Sequence, residues 1–379
     1  MSNEKTASPV LPSETSTSTP DAQSPTRTVN RRSFMKKTVV AGAVAAGAGL
    51  IAKTMPAFGQ ETRSSAHLSN GDIAILRFLA AAELIESDLW EQYAELGGVT
   101  SGTQNPYQLA LQQLDGDGSQ YISSNTLDEM SHAAFLNAYL KLKGAPPVNL
   151  NKFRTLASSQ ATGAKQIGRL TNLMQLTVDT SWYTRYRSKT NPDFGATFPQ
   201  AIDLVGVPAI PRDNSDFGPN NHIQAIANTA AFHFGFIEQG GSSLYSAMAQ
   251  KSSNAEVLRI VLSIGGDEIA HFLEWVDFSG NGVQTPIAPF TDPTNGLTFP
   301  DFNATNNPLL QTNLIFPVPC EFINAALPRC SMIRPTATTG VAAGAVKALT
   351  DDGLFIGQST EFFDTLSALA DAADAAQRG

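Results

Sequence analysis

Apolar residues recur at three- and four-residue steps in four stretches of the chain, the period that gives a helix one continuous buried stripe. In the first, Leu76, Leu79, Glu83, Glu86, Trp90 and Tyr93 share a face, and Gly97-Gly98 stops the helix. The second runs over about 126–143 with Glu129, His132, Leu136 and Tyr139 on its stripe, and ends at Gly144 before Pro146-Pro147. The third, about 223–249, aligns Ala227, Ala231, Phe234, Glu238, Gly241 and Tyr245. The fourth, about 256–278, aligns Val257, Val261, Ile264, Glu268, His271 and Trp275. Four amphipathic helices of this length predict an all-α four-helix bundle. Between the second and third lies a long stretch whose residues 171–187 are rich in Thr, Val, Trp and Tyr, which predicts a crossover containing a strand or hairpin. Residues 281–335 are rich in Pro and Asn and predict an irregular wrap, and 358–376 read as one more helix.

Ionisable residues interrupt the stripes in a repeated pattern. Asp128-Glu129-Met130-Ser131-His132 on the second helix matches Asp267-Glu268-Ile269-Ala270-His271 on the fourth. A Glu and a His three apart share a helical face, so both can ligate one side of a dinuclear metal site. The other two helices each carry a glutamate with an aromatic residue two turns on, Glu83 with Trp90 and Glu238 with Tyr245. The candidate ligands are therefore Glu83, Glu129, His132, Glu238, Glu268 and His271. Four carboxylates and two imidazoles suit two first-row ions that oxygens can bridge, iron first and manganese as the alternative, whereas zinc is usually satisfied with fewer carboxylates.

A single Glu-x-x-His arises by chance on surface helices, and a lone buried His is usually a satisfied core residue. Two copies on apolar stripes, matched by two glutamate-bearing helices, are hard to obtain by accident. Buried acids also need compensation, by metal or by a hydrogen-bonded network. Glu86 lies on the same inward seam as Glu83; the aromatic spacing shared with Glu238 favours Glu83 and leaves Glu86 as a neighbour or alternative ligand. Asp128 and Asp267 have two readings, either accepting the outer ring proton of His271 and His132 across the bundle or supplying solvated helix polarity. His233, five residues before Glu238, is rotated off the metal face and reads as structural, as do His67 and His222. Asp115-Gly116-Asp117-Gly118 lacks the glycine and terminal glutamate of a calcium loop and reads as a turn.

The net charge of −9 and the absence of a basic stripe argue against a nucleic-acid partner. Residues 1–29 are rich in Ser, Thr and Pro and cannot form a core. Asn30-Arg31-Arg32-Ser33-Phe34-Met35-Lys36-Lys37, followed by an uncharged Ala, Val and Gly run to Ala52, resembles a twin-arginine export signal. The run is shorter than the roughly 20 residues of a spanning helix, no later segment is long and apolar enough, and the signal is either cleaved after the weak small-residue site Ala57-Phe58-Gly59 or retained. The expected organisation is a leader and signal at 1–59, the bundle at 60–280 and an extension at 281–379, in a periplasmic or extracellular protein. There Cys320 and Cys330 form either a disulfide or two thiols.

By motif and order, Ala82-Glu83-Leu84-Ile85-Glu86, Asp128 to His132, Glu238 to Tyr245 and Asp267 to His271 resemble the ferritin-like domain family that includes desiccation-associated proteins, over roughly Asp72 to Phe278. The resemblance implies a ferritin-like bundle with a dimetal site at the matching positions. The doubled Asp-Glu-x-x-His is also similar to the pattern of dimetal oxygen-activating enzymes such as bacterial multicomponent monooxygenases. The long crossover and Pro-rich tail depart from compact storage ferritins. The expectation is protective redox chemistry with a small oxidant or ferrous iron. The alternative is a non-enzymatic stress or envelope protein whose metal is structural or lost. No reductase partner, substrate pocket or oligomeric state is legible.

Overall fold

The computed structural model describes residues 67–189, 198–333 and 339–378, so the leader and twin-arginine signal expected at 1–59 lie outside the described residues. Helix α1 (Asn70–Gly97) starts where the Ser69 hydroxyl accepts the Asp72 amide at 3.0 Å, and stops at Gly98. Periodicity did not reveal the short α2 (Pro106–Leu114). It opens on a reciprocal capping box between Asn105 and Gln108, with Pro106 at the first position, where no N–H is needed. The Asp115–Gly118 segment is a turn, closed by a 2.9 Å bond from the Gly118 amide to the Asp115 carbonyl. Helix α3 (Gly118–Leu142) begins well before the expected start near Thr126. Its first buried positions, Ser119, Ile122, Asn125 and Thr126, are mostly polar and leave no apolar stripe to read. Gly144, with φ of 75°, turns the chain away after it.

The crossover follows. It holds β1 (Leu176–Val178), the one-turn α4 (Trp182–Arg185) and β2 (Leu204–Val207), which pairs antiparallel with β1. The strand expected within 171–187 is β1, but its partner lies beyond that range and the rest of the range folds into α4. Helices α5 (Asn220–Lys251) and α6 (Ala255–Asn281) then run back to back across a three-residue turn, residues 252–254.

Side-chain pairings fix the helix directions. Glu83 meets His132 while Trp90 meets Thr126, so α1 and α3 are antiparallel. His132 meets Asp267 while Asn125 meets Trp275, so α3 and α6 are antiparallel too. Tyr245 reaches Glu83 and His233 reaches Tyr93, setting α5 against α1. It follows that α3 and α5, consecutive in the bundle, point the same way. The chain must return along the bundle between them, which is what the long crossover does. Buried Asp88 of α1 fastens it, accepting the amides of Leu170 and Thr171 at 2.9 Å each, the Thr171 hydroxyl at 2.7 Å and the Arg154 guanidinium at 2.5 Å.

After the bundle come irregular chain and a small hairpin, β3 (Phe290–Thr291) and β4 (Thr298–Phe299), then α7 (Val341–Asp351) and α8 (Thr360–Asp374). The terminal helix expected at 358–376 is α8; α7 is additional. Asp374 accepts the amides of Ala342 and Ala343 at 3.1 and 3.0 Å and pairs with Lys251 at 3.3 Å, tying both terminal helices to the end of α5. Cys320 and Cys330 exchange backbone hydrogen bonds of 3.1 Å across an antiparallel bridge. Among the described residues no helix is long and apolar enough to cross a membrane.

Candidate metal centre

Halfway along the bundle, one ionisable residue from each of two helices meets a pair from each of the others. Glu83 of α1, Glu129 of α3, Glu238 of α5 and Glu268 of α6 are fully buried, and His132 and His271 nearly so. They form two groups, Glu83–Glu129–His132–Glu268 and Glu129–Glu238–Glu268–His271, and in each the potential ligand atoms all lie within 4.8 Å of one another. Glu129 and Glu268 belong to both groups.

The imidazoles are oriented in matching ways. Nδ1 of His132 faces inwards, 3.4 Å from Glu83 Oε2 and 3.3 Å from Glu129 Oε2. Nδ1 of His271 lies 3.1 Å from Glu129 Oε1 and 3.3 Å from Glu238 Oε2. Outwards, Nε2 of His132 is 3.2 Å from Asp267 and Nε2 of His271 is 3.3 Å from Asp128, each aspartate coming from the facing helix. A carboxylate at Nε2 holds a proton there, so Nδ1, which faces the glutamates, is the ring nitrogen that would turn a lone pair to an ion on losing its proton.

Four acids in a dry interior distort one another's titration. Burial pushes Glu83 up to about 7 against the opposing His132 hydrogen bond, and burial with the nearby Glu129 charge lifts Glu268 well above the usual range. Burial alone would lower His132, but hydrogen bonds to Glu129 and Glu83 hold it up at about 10; His271 is raised likewise, burial opposing and Glu238 and Asp128 prevailing. Protons alone do not satisfy the site. Both carboxylate oxygens of Glu268 are buried without a hydrogen-bond partner, and Oε2 of Glu83 and Oε2 of Glu238 face only an imidazole Nδ1, at 3.4 and 3.3 Å. Orphaned buried oxygens are rare because each forfeits its hydration. An oxygen-rich set that converges on two adjacent points with unused lone pairs fits a pair of cations.

The surroundings break the two-fold pattern. Tyr245 donates a short hydrogen bond to Glu83, so the aromatic residue of α5 serves the glutamate of α1. Trp90 makes no such bond: its Nε1 is buried without a partner, and its ring stacks on Trp275 at 5.3 Å and against Phe234 at 4.8 Å. Glu238 is served instead by Asn125, which periodicity did not single out. Its Nδ2 donates to Glu129 Oε1 at 2.7 Å and Glu238 Oε1 at 3.1 Å, and its Oδ1 accepts Trp275 Nε1 at 2.8 Å. An asparagine one turn before Glu129 on the same face was the available signal. Glu86 stands at the edge of the centre, outside both four-residue groups, and burial followed by the charge of Glu129 raises it well above the usual range.

The remaining histidines lie elsewhere. His233 sits between the Tyr93 hydroxyl, 2.8 Å from Nδ1, and Asp352, 3.1 Å from Nε2. His222 lies between Asp292 at 2.9 Å and Asp216 at 3.1 Å, joining the crossover to the hairpin segment, and His67 is exposed.

The profile of the ferritin-like domain family matches residues 71–274, from the start of α1 into the last turns of α6. No curated protein and no solved structure matches the chain. The match covers more than half the chain and all six residues of the two groups, and the chain belongs to the ferritin-like domain family.

Proposed function

We propose that this ferritin-like chain is an exported dimetal-carboxylate protein that reduces dioxygen or peroxide, or oxidises ferrous iron, in a protective redox role. The observation that carries the reading is the overlap of two four-residue groups through Glu129 and Glu268, with buried carboxylate oxygens left unpartnered. Glu83 and His132 would hold one ion and Glu238 and His271 the other, with Glu129 and Glu268 within reach of both. Iron is the first choice and manganese the alternative, since both accept this oxygen-rich set. When bound, a ferrous pair would supply the two electrons, one from each ion, that reduction of dioxygen to peroxide or of peroxide to water requires.

The protein's own contribution is positional. Asp128 and Asp267 hold the imidazoles with Nδ1 inwards, and Tyr245 and Asn125 hold Glu83, Glu129 and Glu238 by one oxygen each, leaving the second turned towards the imidazoles. Trp90, Trp275 and Phe234 pack ring against ring, and Trp275 in turn holds Asn125 in place beside the glutamates. Export by the twin-arginine route, inferred from Asn30 to Ala52, suits a protein that folds around its cofactor before translocation.

The test is a metal inventory of protein recovered from its exported location, followed by turnover with ferrous iron, dioxygen and peroxide. Fewer than about one ion per chain after anaerobic reconstitution overturns the reading. Two ions retained without oxidant turnover, together with lost stability in Glu268→Ala, replace it with a structural metal in a non-enzymatic stress protein. Protein found only in the cytoplasmic fraction refutes export.

A further inference from the structure

Asp128 and Asp267 flank the centre on the α3–α6 side of the bundle. On the opposite side, between α1, α5 and the terminal helices, lies a cavity of about 510 Å³. Its walls are apolar, with Ile85 from α1, Leu244 from α5, and Val346 and Leu349 from α7. Helix α7 lies outside the span 71–274 matched by the family, so this chain's own extension builds one wall.

The cavity's inner end lies beside the metal centre, with none of the six candidate ligands in its lining. Glu86 lines it one helical turn from Glu83, and Gly241 lines it with Glu268 directly behind: a Cβ there would fall 2.1 Å from Glu268 Oε2. The neighbouring Gly240 also lines the cavity, and a Cβ there would meet no atom within 4 Å. Consecutive glycines are disfavoured inside a helix, and here the backbone of Gly241 is a thin wall between the cavity and the Glu268 carboxylate packed against it. The other lining charges are already committed to ion pairs, Arg185 with Asp179 at 3.5 Å and Lys347 with Asp351. Glu86 offers no charge complement to an anionic group at the inner end, and aromatic walls are few.

We propose that this cavity binds an aliphatic molecule with its uncharged end towards the metal centre. The orientation rests on the dimetal reading, whereas the binding itself does not.

The test uses the full chain reconstituted with cobalt. Calorimetry is expected to show octanol binding, and the visible cobalt spectrum is expected to shift when octanol is added. Gly240→Leu fills the cavity and Val346→Glu puts a charge in its far wall; each is expected to weaken octanol binding at least tenfold with metal content and helix content unchanged. If Gly240→Leu fails to fold, Val346→Glu carries the comparison. Two bound metals with no octanol binding, or octanol binding unaltered in the folded variants, overturns the cavity proposal alone. Octanol binding that both variants weaken, in a chain that takes up no metal, supports the cavity as a binding site and removes the dimetal reading.

Discussion

Two neighbouring glycines on α5 give the sharpest test of the centre, because the same substitution has opposite consequences at each. At Gly241 an added methyl would lie 2.1 Å from Glu268 Oε2 and 3.1 Å from its Cδ, whereas ordinary contact begins near 3.4 Å. The oxygen must retreat by about 1.3 Å, well beyond the roughly 0.5 Å tolerance of a ligand constellation. Glu268 belongs to both groups, so its displacement disturbs both ions at once. Gly241→Ala is expected to weaken uptake of both ions at least ~100-fold, equivalent to about 2.7 kcal/mol. The metal-free protein should keep its thermal stability, because alanine is favoured over glycine in a helix by about 1 kcal/mol and Glu268 can swing aside when no ion requires it. Gly240→Ala gains the same helix preference, opens onto empty space and should take up two ions like the parent. Anaerobic ferrous titration with metal analysis, beside thermal melts of the metal-free proteins, reads both quantities. Two ions bound by Gly241→Ala within about threefold of the parent affinity would refute the placement of Glu268 as the shared ligand.

Other perturbations separate the supporting residues. Asn125→Ala leaves Trp275 Nε1 buried without an acceptor and removes a donor from Glu129 and Glu238, so the metal-free protein should lose about 2 kcal/mol in urea unfolding. Asp267→Ala should weaken the ion beside His132, by ~10–100-fold, more than the one beside His271, whose Nε2 is 4.0 Å from the same carboxylate against 3.2 Å for His132, so cobalt titration should turn biphasic; equal weakening of both ions would count against the cross-bundle assignment. Away from the centre, burial would raise Asp216, but hydrogen bonds from Arg212 and His222 outweigh it and hold the carboxyl at about 2, below its ordinary 3.8. A depressed carboxyl contributes fully above its unfolded value and loses that contribution as pH falls towards its folded one. Stability should therefore drop by about 2 kcal/mol between pH ~4 and ~2, and Asp216→Asn should flatten that part of the profile.

The long helices were legible because each ligand interrupts an apolar stripe, so one periodicity announced both the helix and its inward charges. The same rule hid α2, whose evidence is a cap at Asn105 and Gln108 rather than a stripe, and the first two turns of α3, where buried Ser119, Asn125 and Thr126 erase the contrast. Asn125 lay in that unread stretch, and with it the link between Trp275 and two glutamates.

Spacing along one helix also fixes which face a residue occupies without fixing its partner. Glu83 with Trp90 and Glu238 with Tyr245 are equivalent as spacings, yet Tyr245 crosses to Glu83 while Trp90 turns to its aromatic neighbours and leaves Glu238 to Asn125. The six side chains of the two groups are close to two-fold symmetric, and their support is not. The cavity follows from the same asymmetry: it needs the Gly240–Gly241 pair of α5, the edge of α1 at Glu86 and a wall from α7 about a hundred residues further on. Sequence periodicity stops at the boundaries of a helix, so a feature built from three helices, one of them outside the family's span, becomes visible only once they are packed together.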